Sequence, residues 1–248
     1  MTERDVLAAR GRIHPDQVNS RPAPPPYRAL MGSVLGDLLP LAVGVALSPV
    51  PIVAAILMIL SRNASGSGTG FAVGWVAGIA VATTVIVLLS GALDAGERET
   101  TVAGSWIKIA LGAALLVLAG AQWRRRADAE PPGWMRAIDD FTTMKALGLG
   151  AALSAVNPKN LLLCASAGVT IGAGDLSPGG KALAVAVFTV LAAGSVLAVA
   201  LGYAVAADRL RGTLDTTRQW LQANNHAVMA IVLLVMGAAV IGKGIGGL

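Results

Sequence analysis

The sequence predicts an all-α membrane protein. It should have six transmembrane helices, arranged as two inverted three-helix repeats, with helices 1 and 4 broken by proline. Three observations predict this. The chain is 55% hydrophobic and only 13% charged, against roughly 25% charged in soluble domains. Six apolar segments are each long enough to cross a hydrocarbon core of about 30 Å. Segments one and four carry related proline motifs, Ala46-Leu47-Ser48-Pro49-Val50-Pro51 and Ala152-Leu153-Ser154-Ala155-Val156-Asn157-Pro158. A repeat of three spans must invert its second copy, and matching broken helices point to a transporter's midplane site.

The elements follow in chain order. Residues 1–33 are polar and proline-rich, closing on Arg21-Pro22-Ala23-Pro24-Pro25-Pro26 and the turn into Met31. They hold no apolar core and read as a disordered tail. They are not a signal peptide, because no short apolar region with a cleavage site follows their charges. Met31 is an alternative start that would remove this tail. The apolar segments then run over about 36–60, 68–93, 102–123, 146–173, 181–206 and 221–241. The first repeat occupies 34–123, a basic connecting loop 124–143, and the second repeat 144–248. Leu115–Leu118 and Leu233–Met236 add a weaker match between segments three and six.

Basic residues near segment ends set orientation. Arg124, Arg125, Arg126, Arg136 and Lys145 follow segment three, and Arg209, Arg211 and Arg218 follow segment five. The loops at 124–143 and 207–218 are therefore expected in the cytoplasm of a bacterial cell, and the protein in its inner membrane. The basic tail argues the other way. The net charge of +5 is explained by these flanking residues and anionic headgroups. Aromatic residues make up 4% of the chain, too few for base-stacking platforms, so no nucleic-acid partner is expected.

The central segment holds the residues of interest. Asn157-Pro158-Lys159-Asn160 lies in its middle. Proline removes a backbone donor and restrains the residue before it. Lysine at the bilayer centre costs about 2.5–3.5 kcal/mol on insertion scales. Lys159 is about 20 Å of helix from either end, beyond the reach of snorkelling. It therefore needs a wet cavity, a polar partner or freed carbonyls. Ser154, Asn157, Asn160 and Cys164 share a face of a straight helix, and Lys159 does not. Pro49 and Pro51 free backbone groups in segment one, which survive at membrane depth only inside protein or beside a cavity. The expected transport site is thus Ser48, Pro49, Pro51, Ser154, Asn157, Pro158, Lys159 and Asn160.

Other residues have structural readings. Asp37 and Lys108 sit near segment ends and can reach solvent. His14 and His226 are far apart with no acidic or cysteine cluster, so no metal is expected. Cys164 is the only cysteine, which leaves no disulfide and no two-thiol relay. Gly74…Gly78 and Gly168…Gly172 are small-xxx-small pairs expected at close helix contacts. No nucleophile–base pair is visible, so neither an enzyme nor a cofactor is expected.

The two proline-broken segments, with Val43–Leu60 and Asn157-Pro158-Lys159-Asn160-Leu161, resemble the peptidoglycolipid- or sulfolipid-addressing (GAP) family of the lysine exporter superfamily, known from mycobacteria and related actinobacteria. The resemblance covers about residue 31 to the C-terminus. It implies six membrane helices and a role in moving an envelope glycolipid or peptidoglycolipid across the inner membrane. It also implies that Ser48, Pro49, Pro51 and Asn157-Pro158-Lys159 form the central site. The substrate partner would be a lipid or other amphiphile, with a lipid synthase or a second copy as protein partner. Two other functions fit the residues: an exporter of a small metabolite or amino acid, and a non-transporting scaffold of a lipid synthesis and export complex.

Overall fold

A backbone in lipid must satisfy its own hydrogen bonds, which favours helix wherever the chain is apolar. The computed structural model describes residues 27–94, 100–126 and 141–248. Among them are eight helices: α1 (Tyr27–Ala46), α2 (Pro49–Leu60), α3 (Ala64–Asp94), α4 (Thr100–Arg124), α5 (Thr143–Ala155), α6 (Pro158–Gly172), α7 (Pro178–Ala192) and α8 (Gly194–Ile245). Helix α1 begins inside the stretch read as tail, so residues 27–33 are helical. Residues 1–26 and 127–140 of the predicted tail and basic loop lie outside the described residues.

Both predicted proline breaks are present. Helix α1 stops at Ala46, and Pro49 opens α2. Helix α5 stops at Ala155, and Pro158 opens α6. Proline is suited to a first helical position, because the N–H it lacks has no intrahelical partner there. It therefore restarts each helix instead of merely kinking it. A third break, between α7 and α8, bends the chain by 60°.

Among the described residues four helices are long and apolar enough to cross a membrane, and a fifth span results if the bent pair Pro178–Ala192 and Gly194–Val205 is one crossing. The sequence predicted six. The segment at 146–173 is divided into helices of 13 and 15 residues, each shorter than a span.

Helix α8 extends over Gly194–Ile245, yet it cannot be straight. Ser195 Oγ donates to the Ala46 carbonyl across 2.6 Å. Met236 packs on Gly44, two residues away from Ala46. A straight helix from 195 to 236 would be about 60 Å long. The side chain of Leu210 also folds back against Gly202. The chain therefore reverses between Gly202 and Leu210. The loop predicted over 207–218 is corrected to helix. Its polar stretch is rich in helix formers and carries local pairs, Arg218 to Asp215 and Gln219 to Asp215, that support helix in water.

Small residues set the packing. Gly74 and Gly78 of α3 meet the backbone of Leu147 and Ala151 in α5, and Gly168 and Gly172 of α6 meet Ile86 and Ser90 of α3. Both predicted glycine pairs are thus at close contacts, where a missing Cβ lets helices approach. Gly112 of α4 faces Gly237 and Ile241 of α8 in the same manner. Leu88, Val117, Val190 and Leu201 are exposed, as suits a lipid-facing surface.

The same contacts sort the helix ends. Gly66 and Gly70, just after Arg62, touch Thr143. Gln122 Oε1, near Arg124, accepts a 2.6 Å bond from His226 Nδ1. Residues 59–69 and 200–204 line one cavity. Arg62, Arg124, Lys145 and the reversal in α8 therefore share one end of the bundle. At the other end Lys243 Nζ pairs with Asp37 at 2.9 Å and also bonds its carbonyl.

Candidate functional site at the paired helix breaks

The two proline breaks meet. Lys159 is the second residue of α6 and is 2% exposed. Its Nζ donates to Ser48 Oγ across 2.8 Å. Ser48 Oγ donates to Asn160 Oδ1 at 3.1 Å. Asn160 Nδ2 donates to the Leu153 carbonyl at 3.1 Å. That carbonyl belongs to the last turn of α5, where helical acceptors lose their partners. One relay thus ties the first turn of α6, the start of α2 and the end of α5.

Local sequence positions each group. Ser48 is the N-cap residue of α2 but makes no side-chain cap bond. It has little to cap. Pro49 and Pro51 have no N–H, and Ile52 N already bonds the Ser48 carbonyl at 3.3 Å. The hydroxyl is therefore free to serve Lys159 and Asn160. Asn157 performs the capping in α6, its Oδ1 accepting from Lys159 N at 3.1 Å.

Of the predicted site residues, the structure brings Ser48, Lys159 and Asn160 into direct contact. Pro49 and Pro51 are buried beside them, and Pro158 is exposed. Ser154 stands apart. Its Oγ donates to the Gly150 and Ala151 carbonyls within its own helix. Lys159 and Asn160 are successive residues of α6, and both side chains reach Ser48 Oγ from its first turn. The restart at Pro158 shifts their phase relative to Ser154, which a straight helix would have placed on one face with Asn160.

One contributor was not read from the sequence. Ser195, at the third break, bonds the Ala46 carbonyl, which the α1 break leaves exposed. The Ala192-Ala193-Gly194-Ser195 run was the available signal.

The electrostatics of the node are mixed. Helices α2 and α6 begin here with partial positive N-termini, and α1 and α5 end here with partial negative C-termini. Lys159 adds a cation, and the ion pairs found among the described residues, Arg218–Asp215 and Lys243–Asp37, lie elsewhere. The hydroxyl of Ser48 accepts only one of the three ammonium protons. Among the described residues no group of His, Cys, Asp and Glu could hold a metal.

The helices and this node define a multi-pass, all-helical membrane protein built around two proline-started half-helices. Residues 38–246 match the family described as Sap, sulfolipid-1-addressing protein, and the chain belongs to that family. The match takes in every residue of the node. No curated protein and no solved structure matches the chain.

Proposed function

We propose that this protein moves an anionic envelope lipid, of the sulfolipid type that its family's description names, across the bacterial cytoplasmic membrane. The observation that carries the reading is Lys159: a buried cation where the two helix breaks meet, with no carboxylate partner among the described residues. An uncompensated buried charge costs several kcal/mol. A sulfate or similar headgroup would offset that cost.

In this reading α1 with α2, and α5 with α6, each cross the membrane as one broken span. Together with α3, α4, the bent α7–α8 pair and the last limb of α8 they make six. The two halves are then inverted repeats of the kind seen in the lysine exporter superfamily, and rocking of one against the other alternates access. The end that carries Arg62, Arg124 and Lys145 faces the cytoplasm by the positive-inside rule. The chain acts by binding and movement, without covalent chemistry. A lipid synthase or a second copy would be its partner.

The test is Lys159→Met in a strain lacking the wild-type gene, with membrane abundance and surface lipid both measured. Normal abundance with at least a tenfold loss of the surface lipid is expected. Normal surface lipid would refute the central site and favour a scaffold, whose function would reside in the loops.

A further inference from the structure

A second cationic feature lies at the basic end of the bundle. A cavity of about 520 Å³ opens there between the α2–α3 turn and the first limb of α8. Its walls include Ile59, Arg62, Ser65, Thr69, Ala200 and Tyr203. Arg62 is exposed, has no ion-pair or hydrogen-bond partner among the described residues, and lies at the mouth beside hydroxyl-bearing side chains. Ile59 and Ala200 make the inner wall apolar. A guanidinium with nearby hydroxyls matches an oxyanion, which arginine binds through paired N–H groups. Apolar walls beneath a charged mouth match a chain attached to that oxyanion.

The placement adds a second reason. Two helices that reach the cavity begin at the central node. Helix α2 runs from Pro49, next to Ser48, to Ile59 at the cavity. The first limb of α8 runs from Ser195, bonded to Ala46, to Tyr203 at the cavity. Each stretch of helix between node and cavity is about 12 to 15 Å long. The cavity and the node are therefore opposite ends of one pair of helices.

We infer that this cavity is a separate binding site for a tetrahedral oxyanion, normally the phosphate- or sulfate-bearing headgroup of a membrane lipid, with Arg62 as its anchoring residue. The site stands on its own lining and does not depend on what Lys159 binds.

The experiment measures binding of short-chain phosphatidylglycerol, short-chain phosphatidylcholine and inorganic phosphate to the purified full chain, by calorimetry and native mass spectrometry. Saturable binding of one phosphatidylglycerol per chain is expected, weakened about tenfold or more by Arg62→Gln, with Arg62→Lys in between. Arg125→Gln, outside the cavity, should bind as the wild type does. Equal binding of inorganic phosphate would support the oxyanion site and assign its ligand to the soluble phase. Unchanged phosphatidylglycerol binding by a folded Arg62→Gln protein would overturn the inference, as would equal loss in Arg125→Gln. If Arg62→Gln fails to fold, Thr69→Val and Ser65→Ala replace it, and no loss of binding in either overturns the proposal.

Discussion

Lys159 Nζ rests 2.8 Å from Ser48 Oγ, joining two residues 111 positions apart. Each stands at the first turn of a helix that proline restarts. The contact therefore fixes the two broken helices to each other at their weakest points, and it brings the one deeply buried cation among the described residues into contact with a neutral partner.

Removing either side of this contact should have opposite consequences for stability. Ser48→Ala takes the hydrogen-bond partner from the buried Lys159 ammonium and from Asn160 Oδ1, which costs about 1–3 kcal/mol. Lys159→Met removes the charge and keeps the volume, and such replacements are often neutral or stabilising. Thermal unfolding in detergent checks both. Equal destabilisation by the two variants would count against an uncompensated charge at this node.

The α3–α5 seam should be intolerant of a single methyl group. Gly74 has the Leu147 backbone where its Cβ would be. Gly74→Ala should cost about 1–3 kcal/mol through overpacking. Gly36 has nothing within 4 Å, so Gly36→Ala should be neutral or gain up to about 1 kcal/mol from helix propensity. The difference in melting temperature between the two variants is the measurement. A melting temperature for Gly74→Ala at or above that of Gly36→Ala would show that the seam can yield.

Ser195→Ala should loosen the first break without disturbing the second. It removes the 2.6 Å bond to the Ala46 carbonyl, at a net cost of about 1 kcal/mol. Amide exchange should quicken at Leu47 and Ser48 and stay unchanged at Val156 and Asn157. Unchanged exchange at Leu47 and Ser48 would mean that packing alone holds that break.

Topology can be read with added cysteines, because the native Cys164 is fully buried and should give little background. Arg125→Cys should react only with a reagent that enters the cell. Asp175→Cys should react from outside. The opposite pattern would reverse the orientation argued from the basic residues.

The sequence alone determined that this is a helical membrane chain, where its two proline breaks fall, and which lysine is out of place. Those features are local: apolar run length, proline's missing N–H and the cost of a charge in lipid each act within a few residues. It also located the tight glycine contacts, because a missing Cβ is legible without a partner. The tertiary structure decided what Lys159 touches, because a helix that restarts at Pro158 takes a new phase that no straight-helix count includes. It separated Ser154 from the node, brought Ser195 to Ala46, and turned the predicted loop at 207–218 into a helical reversal. Each of those depends on contacts between residues distant in the chain, where only packing chooses the partner.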